Sequence, residues 1–394
     1  MPPTPAPPWT SPRNLWVRRP DRPPIPRPVW GAAMNITSMT GCERVNRMFA
    51  RQDQDRVPRQ DTYWPETIAR WQREGLQWDH ADALRLLGAD FQAVCWSWPV
   101  VFPGLREVLR QDAETETVRD AWGGVARYWK ARSGTPEHIS FGCDCRETWE
   151  RIYRPALLAA PNGMDTKLAA LRYQEGRILG KWNHLSGVEG FEALRKIIGD
   201  ETCLVAMIED PEWIRDIVKV HTDVVLRSFE GVLAEGVQPD GLWIYGDMAY
   251  NHSTMCSPAM YRDLVWPAHK RMAEWAHQRG MRVIYHTDGH VRDVLDLYIA
   301  AGFECLQPIE AKAGMDIREF APTHGDRLAM FGNIDVMKMG TNNLDVIEEE
   351  IRTKFAAGMA TRGYAYHSDH SVPPQVSWDT YRAIIGFIER YGNY

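Results

Sequence analysis

The chain has 394 residues, 44% hydrophobic and 25% charged, an ordinary balance for a water-soluble protein with a large core. No apolar run reaches the roughly eighteen residues that a membrane-spanning helix needs, and a net charge of -6 argues against a nucleic-acid partner. Seven cysteines at 42, 95, 143, 145, 203, 256 and 305 show no paired pattern, which suits a reducing cytoplasm better than a disulfide framework.

Residues 1–33 hold eleven prolines and five arginines against one acid. Such a segment cannot bury apolar surface, so a disordered tail is expected, without the apolar stretch of a secretory signal. Met34 stands just before foldable sequence and is a candidate translation start, with 34–394 read as a single domain. Thr40 followed by Glu43, Val45, Met48 and Phe49 reads as a capped amphipathic helix. Asp55-Arg56-Val57-Pro58 ends it and leads into an extended segment. Residues 66–87 read as one or two helices, Ala89 to Val101 as a strand, 115–130 as a hairpin around Gly123-Gly124, and Glu147 to Leu158 as a helix.

From about residue 175 the pattern alternates. Strands are expected at Gly180–Leu185, Leu204–Ile208, Gly241–Asp247, Arg282–Asp288, Cys305–Ile309, Leu328–Asn333 and Gly363–Tyr366. Helices are expected at 189–198, 211–234, 258–279, 290–301, 315–324, 343–358 and 377–391. Strand then helix, repeated, predicts an α/β fold with a parallel sheet. A (β/α)8 TIM barrel is the economical closure of that count. No G-x-G-x-x-G follows an early strand, which disfavours a dinucleotide fold.

In such a barrel the loops after the strands carry the chemistry. The expected strand ends are rich in polar residues: Trp182 and His184, Glu209-Asp210, Gly246-Asp247, His286-Thr287-Asp288-Gly289, Gln307-Pro308-Ile309-Glu310, Gly332-Asn333 and His367-Ser368-Asp369-His370. Asp247, His286, Asp288 and His370 are the candidate catalytic residues. Asp288 is also a candidate helix N-cap, and His290 reads as part of the following helix. Histidine and carboxylate suit zinc or another first-row divalent ion. His286, Asp288 and His370 would be its ligands, with Glu310 as a fourth. The metal-free reading uses the same groups as acids and bases. Tyr63, Trp64, Trp98, Trp182, Tyr250, Tyr285 and Asn333 are the candidate substrate-binding residues, since aromatic rings wall pockets for flat or methylated ligands.

At these residues, and over about 40–392, the chain resembles the uroporphyrinogen decarboxylase superfamily. The likeness rests on Glu43-Arg44-Val45, Asp55-Arg56-Val57-Pro58, Gly246-Asp247, His286-Thr287-Asp288-Gly289 and Gln307-Pro308. It continues in Gly314-Met315-Asp316, Gly332-Asn333-Ile334-Asp335 and Val372-Pro373-Pro374. The resemblance implies the (β/α)8 barrel of that superfamily. It also implies one of two activities, methyl transfer with a cobamide or decarboxylation in porphyrin biosynthesis.

The thiol-activating methyltransferases carry H-x-C and a later Cys as zinc ligands. Here the matching positions are His286-Thr287-Asp288 and His370, so a thiol acceptor is not expected. The decarboxylase holds its substrate with an arginine-rich early segment, and the matching stretch here is Arg59-Gln60-Asp61-Thr62-Tyr63-Trp64. The resemblance therefore points first to a methyltransferase moving a methyl group between a small ether or amine and a corrinoid protein supplied as a separate partner. A cofactor-free decarboxylase of uroporphyrinogen or another polycarboxylate is the alternative, and a non-catalytic ligand-binding barrel the third reading.

Overall fold

The computed structural model describes residues 39–77, 87–131, 133–160 and 163–394. The expected tail 1–33, the start at Met34 and residues 78–86 of the expected helical stretch lie outside the described residues. Thr40 caps the first helix, Gly41–Phe49, by accepting from Glu43 N. A second helix spans Pro65–Arg73.

Strand β1 is Phe91–Ser97. An antiparallel sheet of β2 (Glu107–Gln111), β3 (Thr115–Arg119), β4 (Val125–Trp129) and β5 (Glu137–Ser140) follows it. The expected 115–130 hairpin is β3–β4, turning at Gly123 with φ 81°. Strand β2 and a helix at Thr166–Ile178 have no counterpart in the sequence reading. The chain then returns to the first sheet with β6 (Trp182–Val188), β7 (Gly241–Tyr245), β8 (Arg282–Thr287), β9 (Cys305–Pro308), β10 (Ala329–Phe331) and β11 (Tyr364–Ala365). With β1 these make a seven-stranded parallel sheet in the order β1-β6-β7-β8-β9-β10-β11.

Side chains alternate across that sheet. Phe91, Trp182, Ile284, Cys305, Ala329, Phe331 and Ala365 pack on one face with Val45, Met48 and Phe49 of the first helix. Leu185, Leu242, Val283, Tyr285, Leu306, Met330 and Tyr364 pack on the other, against the connecting helices. Between the two sheet edges runs the segment 57–60. Tyr366 N donates to Pro58 O at 2.8 Å, Gln60 N to Tyr366 O at 3.0 Å, and Asp90 N to Arg59 O at 2.9 Å. Buried Asp90 fastens this end by ion pairs to Arg44 (2.6 Å) and Arg56 (2.7 Å).

One expected strand is a helix. Residues 204–208 belong to Asp200–Glu209, where Cys203, Ala206 and Met207 are buried. Leu204, Val205 and Ile208 face out. The burial period is helical, and Asp200 and Glu201 occupy the first turn, where the helix dipole favours acids. The apolar run misled because its outward side is apolar too. The expected helix 258–279 is two helices, Pro258–Leu264 and Trp266–His277, the second with a proline in its first turn. The expected 290–301 helix opens as a 3-10 turn at Arg292–Val294. The expected 147–158 helix carries a π turn at Trp149–Tyr153.

His184 sits inside the sheet rather than at a strand end, because β6 runs on to Val188. Its ring lies between Trp182 (5.8 Å) and Trp243 (5.0 Å), with Nδ1 on Ser186 Oγ at 2.9 Å. Burial pushes its pKa down to about 4. The unfolded chain therefore takes up a proton below about pH 6.5 that the folded one refuses, and stability falls as pH drops through that window. On the order of 3 kcal/mol is lost this way between pH 7 and 4. His184→Asn is expected to remove this component, read as a shallower pH dependence in urea unfolding.

Candidate active site

In-register parallel pairing sets the site. Tyr245 is the lateral partner of His286, and His286 that of Gln307. The Tyr245 ring stacks on the His286 ring with centroids 4.5 Å apart and planes 20° off parallel. Gln307 Oε1 bonds His286 Nδ1, so Nε2 points at Asp247, whose Oδ1 lies 3.7 Å away. Asp247 follows β7 and Asp288 follows β8. Asp288 N donates to Asp247 Oδ1 at 3.0 Å and Tyr245 OH to Asp247 Oδ2 at 3.2 Å. One ligand atom from each of Asp247, His286 and Asp288 lies within 4.8 Å of the others. His370 reaches the group from the last sheet loop, with Nε2 3.9 Å from Asp288 Oδ2, and Trp64 stacks on its ring at 5.7 Å.

The charges are arranged unevenly. Glu310 Oε2 accepts from Gly289 N at 2.6 Å, and its Oε1 pairs with Lys312 at 2.8 Å. Asp288 Oδ1 is buried with no hydrogen-bond partner among the described residues. Burial, then the Asp247 and Glu310 carboxylates, push the Asp288 pKa well up. Burial pushes His286 and His370 down. Neutral imidazoles beside carboxylates, one of them short of partners, form a donor set for a divalent cation.

Of the expected catalytic residues, Asp247, His286, Asp288 and His370 come together. Asp288 caps no helix, since the next helical turn begins at Arg292 behind Val291. His290 lies ahead of that turn and bonds Ala313 O at 2.9 Å. Glu310 adjoins the group but both its oxygens are engaged.

The aromatic set divides. Trp64 lies on His370. Trp98 packs on Trp122 at 5.0 Å, and Tyr250 is half-exposed in the loop after β7. Trp182 is corrected to the opposite end of the sheet, against Phe49 and Phe91. Tyr285 is corrected to the helix-facing side, stacked on Phe303 at 4.5 Å, because the neighbour of an inward His286 must point outward. Tyr63 packs on Trp71 and bonds Tyr381 OH at 2.8 Å. Asn333 is spent on loop backbone. It donates to Ile309 O and Met315 O at 2.6 Å and accepts from Ile317 N at 3.0 Å.

Glu209 ends a helix and Asp210 caps the next, accepting from Trp213 N, so neither lies at a strand end. The strand end there is Glu189, and Glu192 follows on the Gly190–Ile198 helix. Sequence reading missed both by ending β6 at Leu185. Extending the strand through the small and apolar run Ser186-Gly187-Val188 would have found them.

The loop that carries His370 hangs on Asp61. This fully buried carboxylate accepts from Tyr366 OH (2.9 Å), Tyr381 OH (2.8 Å), Thr62 N (3.1 Å), Ser368 N (3.3 Å) and Ser368 OH.

A family model described as uroporphyrinogen decarboxylase (URO-D) matches residues 192–391. Among solved structures, a methyltransferase from Methanosarcina mazei shares the fold with a TM-score of 0.60 at 13% identity, covering 90% of this chain and 99% of that one. An alpha-N-acetylgalactosaminidase, NagBb from Bifidobacterium bifidum, in a quadruple mutant, aligns with a TM-score of 0.32 at 11% identity, over 89% of this chain and 52% of that one. No curated protein matches the chain.

Two buried carboxylates should respond oppositely to mutation. Asp61→Ala strands several buried donors and should cost about 3–5 kcal/mol. Asp288→Asn removes an acid whose ionisation the fold opposes, so the metal-free protein should gain about 1–2 kcal/mol at pH 7. Chelator-treated protein in urea unfolding reads both.

Proposed function

The chain belongs to the uroporphyrinogen decarboxylase family, and from that premise we propose that it is a methyl-transferring member with a divalent metal at Asp247, His286 and Asp288. On this reading the parallel sheet closes as a (β/α)8 barrel, with 57–60 as its eighth strand, and the substrate enters over the strand ends. The observation that carries the proposal is the unpartnered, buried Asp288 Oδ1 beside a second carboxylate and a neutral imidazole. That arrangement costs stability unless a cation completes it.

When bound, the metal would polarise the oxygen or nitrogen from which a methyl group departs. The chain's own residues do the positioning. Gln307 fixes His286 with Nδ1 engaged and Nε2 turned to the cluster, and Tyr245 holds the ring flat. The Asp288 amide orients Asp247. His370, next to Asp288 and under Trp64, is placed to give or take a proton at the leaving atom. The methyl group would pass to a corrinoid on a separate protein, and the donor would be a small ether or amine. A cytoplasmic setting suits the seven unpaired cysteines.

Charge weighs against a polycarboxylate substrate. Arg56 pairs with Asp90 and Arg59 lies against Gly88, both near the start of β1 rather than at the cluster. Asp247, Asp288 and Glu310 would instead meet the substrate's carboxylates, which bidentate arginines normally hold.

Purified protein should hold about one equivalent of a first-row divalent metal. His286→Ala and Asp288→Ala should lose it by elemental analysis. With a reduced corrinoid protein and a methyl ether or methylamine, the methyl-cobalt absorption should appear for the native chain and fall at least about a hundredfold in rate for either variant. Absence of metal together with tight binding of a porphyrinogen would overturn the reading in favour of decarboxylation.

A further inference from the structure

Asp247 stands two residues beyond β7, past the last ladder pairing of that strand with β8 at Tyr245 and His286. Something else must fix its backbone if its carboxylate is to serve a metal. The Gly190–Ile198 helix supplies that from the neighbouring strand end. Arg195 donates through Nη1 to Asp247 O at 3.2 Å. The same nitrogen donates to Glu192 Oε2 at 3.1 Å, and Arg195 Nε to Asp200 Oδ1 at 2.5 Å. Arg195 thus holds the Asp247 carbonyl, and Glu192, three residues back on the same helix face, holds Arg195 in turn.

The helix is itself pinned. Glu189, fully buried, accepts from Phe191 N at 2.6 Å and Glu192 N at 2.8 Å. It also bonds His269 Nε2 at 3.0 Å, and His269 Nδ1 bonds Tyr261 OH at 2.9 Å. Gly246 lies flush on this cap, where a Cβ would collide with the Glu189 carboxylate. Tyr285 OH donates to Gly246 O at 3.0 Å from the helix side. Gly246 and Asp247 are therefore seated on a rigid platform.

We propose that Arg195, aimed by Glu192, clamps the Asp247 backbone, so that both are positioning residues that set the geometry of the cation site, an inference that rests on Asp247 being a ligand of that site. Neither residue is a ligand in this account. Both act through Asp247, as the outer partners of metal ligands do.

The test uses the full chain, with Co2+ alone as the probe, and the variants Glu192→Ala, Arg195→Ala and Glu192→Gln. Co2+ affinity is read by titration calorimetry and by visible absorption. Hydrogen exchange at the Asp247 amide is read on a peptide spanning residues 246–250, and melting is recorded for every variant. The two alanine variants should each lose roughly tenfold in Co2+ affinity and gain roughly tenfold in Asp247 exchange. Glu192→Gln, whose amide oxygen can still accept from Arg195 Nη1, should recover most of both.

Lower melting with native affinity and native exchange would overturn the clamp, leaving the pair as ordinary helix support. If the native chain takes up no Co2+, the metal reading fails, and unchanged exchange in the alanine variants still overturns the clamp while raised exchange upholds it. Where an alanine variant does not fold, Arg195→Lys carries the comparison. It keeps the charge but has one nitrogen where Arg195 uses two, Nη1 on Asp247 and Glu192 and Nε on Asp200, and it must shift exchange in the same direction.

Discussion

The row Tyr245, His286, Gln307 is the constraint on which the site depends. Parallel strands in register place same-layer residues side by side, and these three fall in the layer where the sheet ends. One neighbour stacks on the imidazole and the other binds its Nδ1. The ring has one nitrogen left, and it points to Asp247. A slip of one residue in either pairing would turn His286 or its partners to the helix side, where Tyr285 now packs on Phe303. The apolar alternation of β7, β8 and β9 that forms the two cores therefore also fixes the direction of a polar atom.

Buried acids in this chain fall into two kinds. Asp61 is surrounded by hydroxyl and amide donors, Asp90 by Arg44 and Arg56, and Asp369 by the amides of Ala311 and Val336, each at 2.9 Å. These carboxylates close loops and need nothing further. Asp288 is different. One oxygen has no partner among the described residues, and its neighbours include Asp247 and Glu310. Asp61, Asp90 and Asp369 are satisfied in full, whereas Asp288 keeps an open oxygen beside two other carboxylates, where a ligand would offset the cost.

Much of this was legible in the sequence, for stated reasons. Polar clusters closing apolar runs at Gly246-Asp247, His286-Thr287-Asp288 and His367-Ser368-Asp369-His370 marked strand ends, because a parallel sheet buries both faces and releases polar groups at its rim. Periodicity failed where both sides of an element were apolar, as at Leu204–Ile208. It also failed where an aromatic could serve either face. Trp182 lies at the start of a strand whose true end is Val188, and Tyr285 is one residue out of phase with the site. Gln307 stood in a recognised strand end, but its role on His286 needed the lateral register, which a single sequence does not carry.

The segment 57–64 adds what the local pattern concealed. It bridges the sheet edges through Pro58, Arg59 and Gln60, anchors the last loop through Asp61, and sets Trp64 on His370. Three roles fall within eight residues, some three hundred positions from the loop they serve. This segment and the β2–β5 insertion both precede residue 192, where the family match begins. The matched half supplies Asp247, His286, Asp288 and His370, while the half before it supplies the aromatic lid over His370 and the anchor that holds it. The grouped acids and histidines, and the ring that covers one of them, thus come from different parts of the chain.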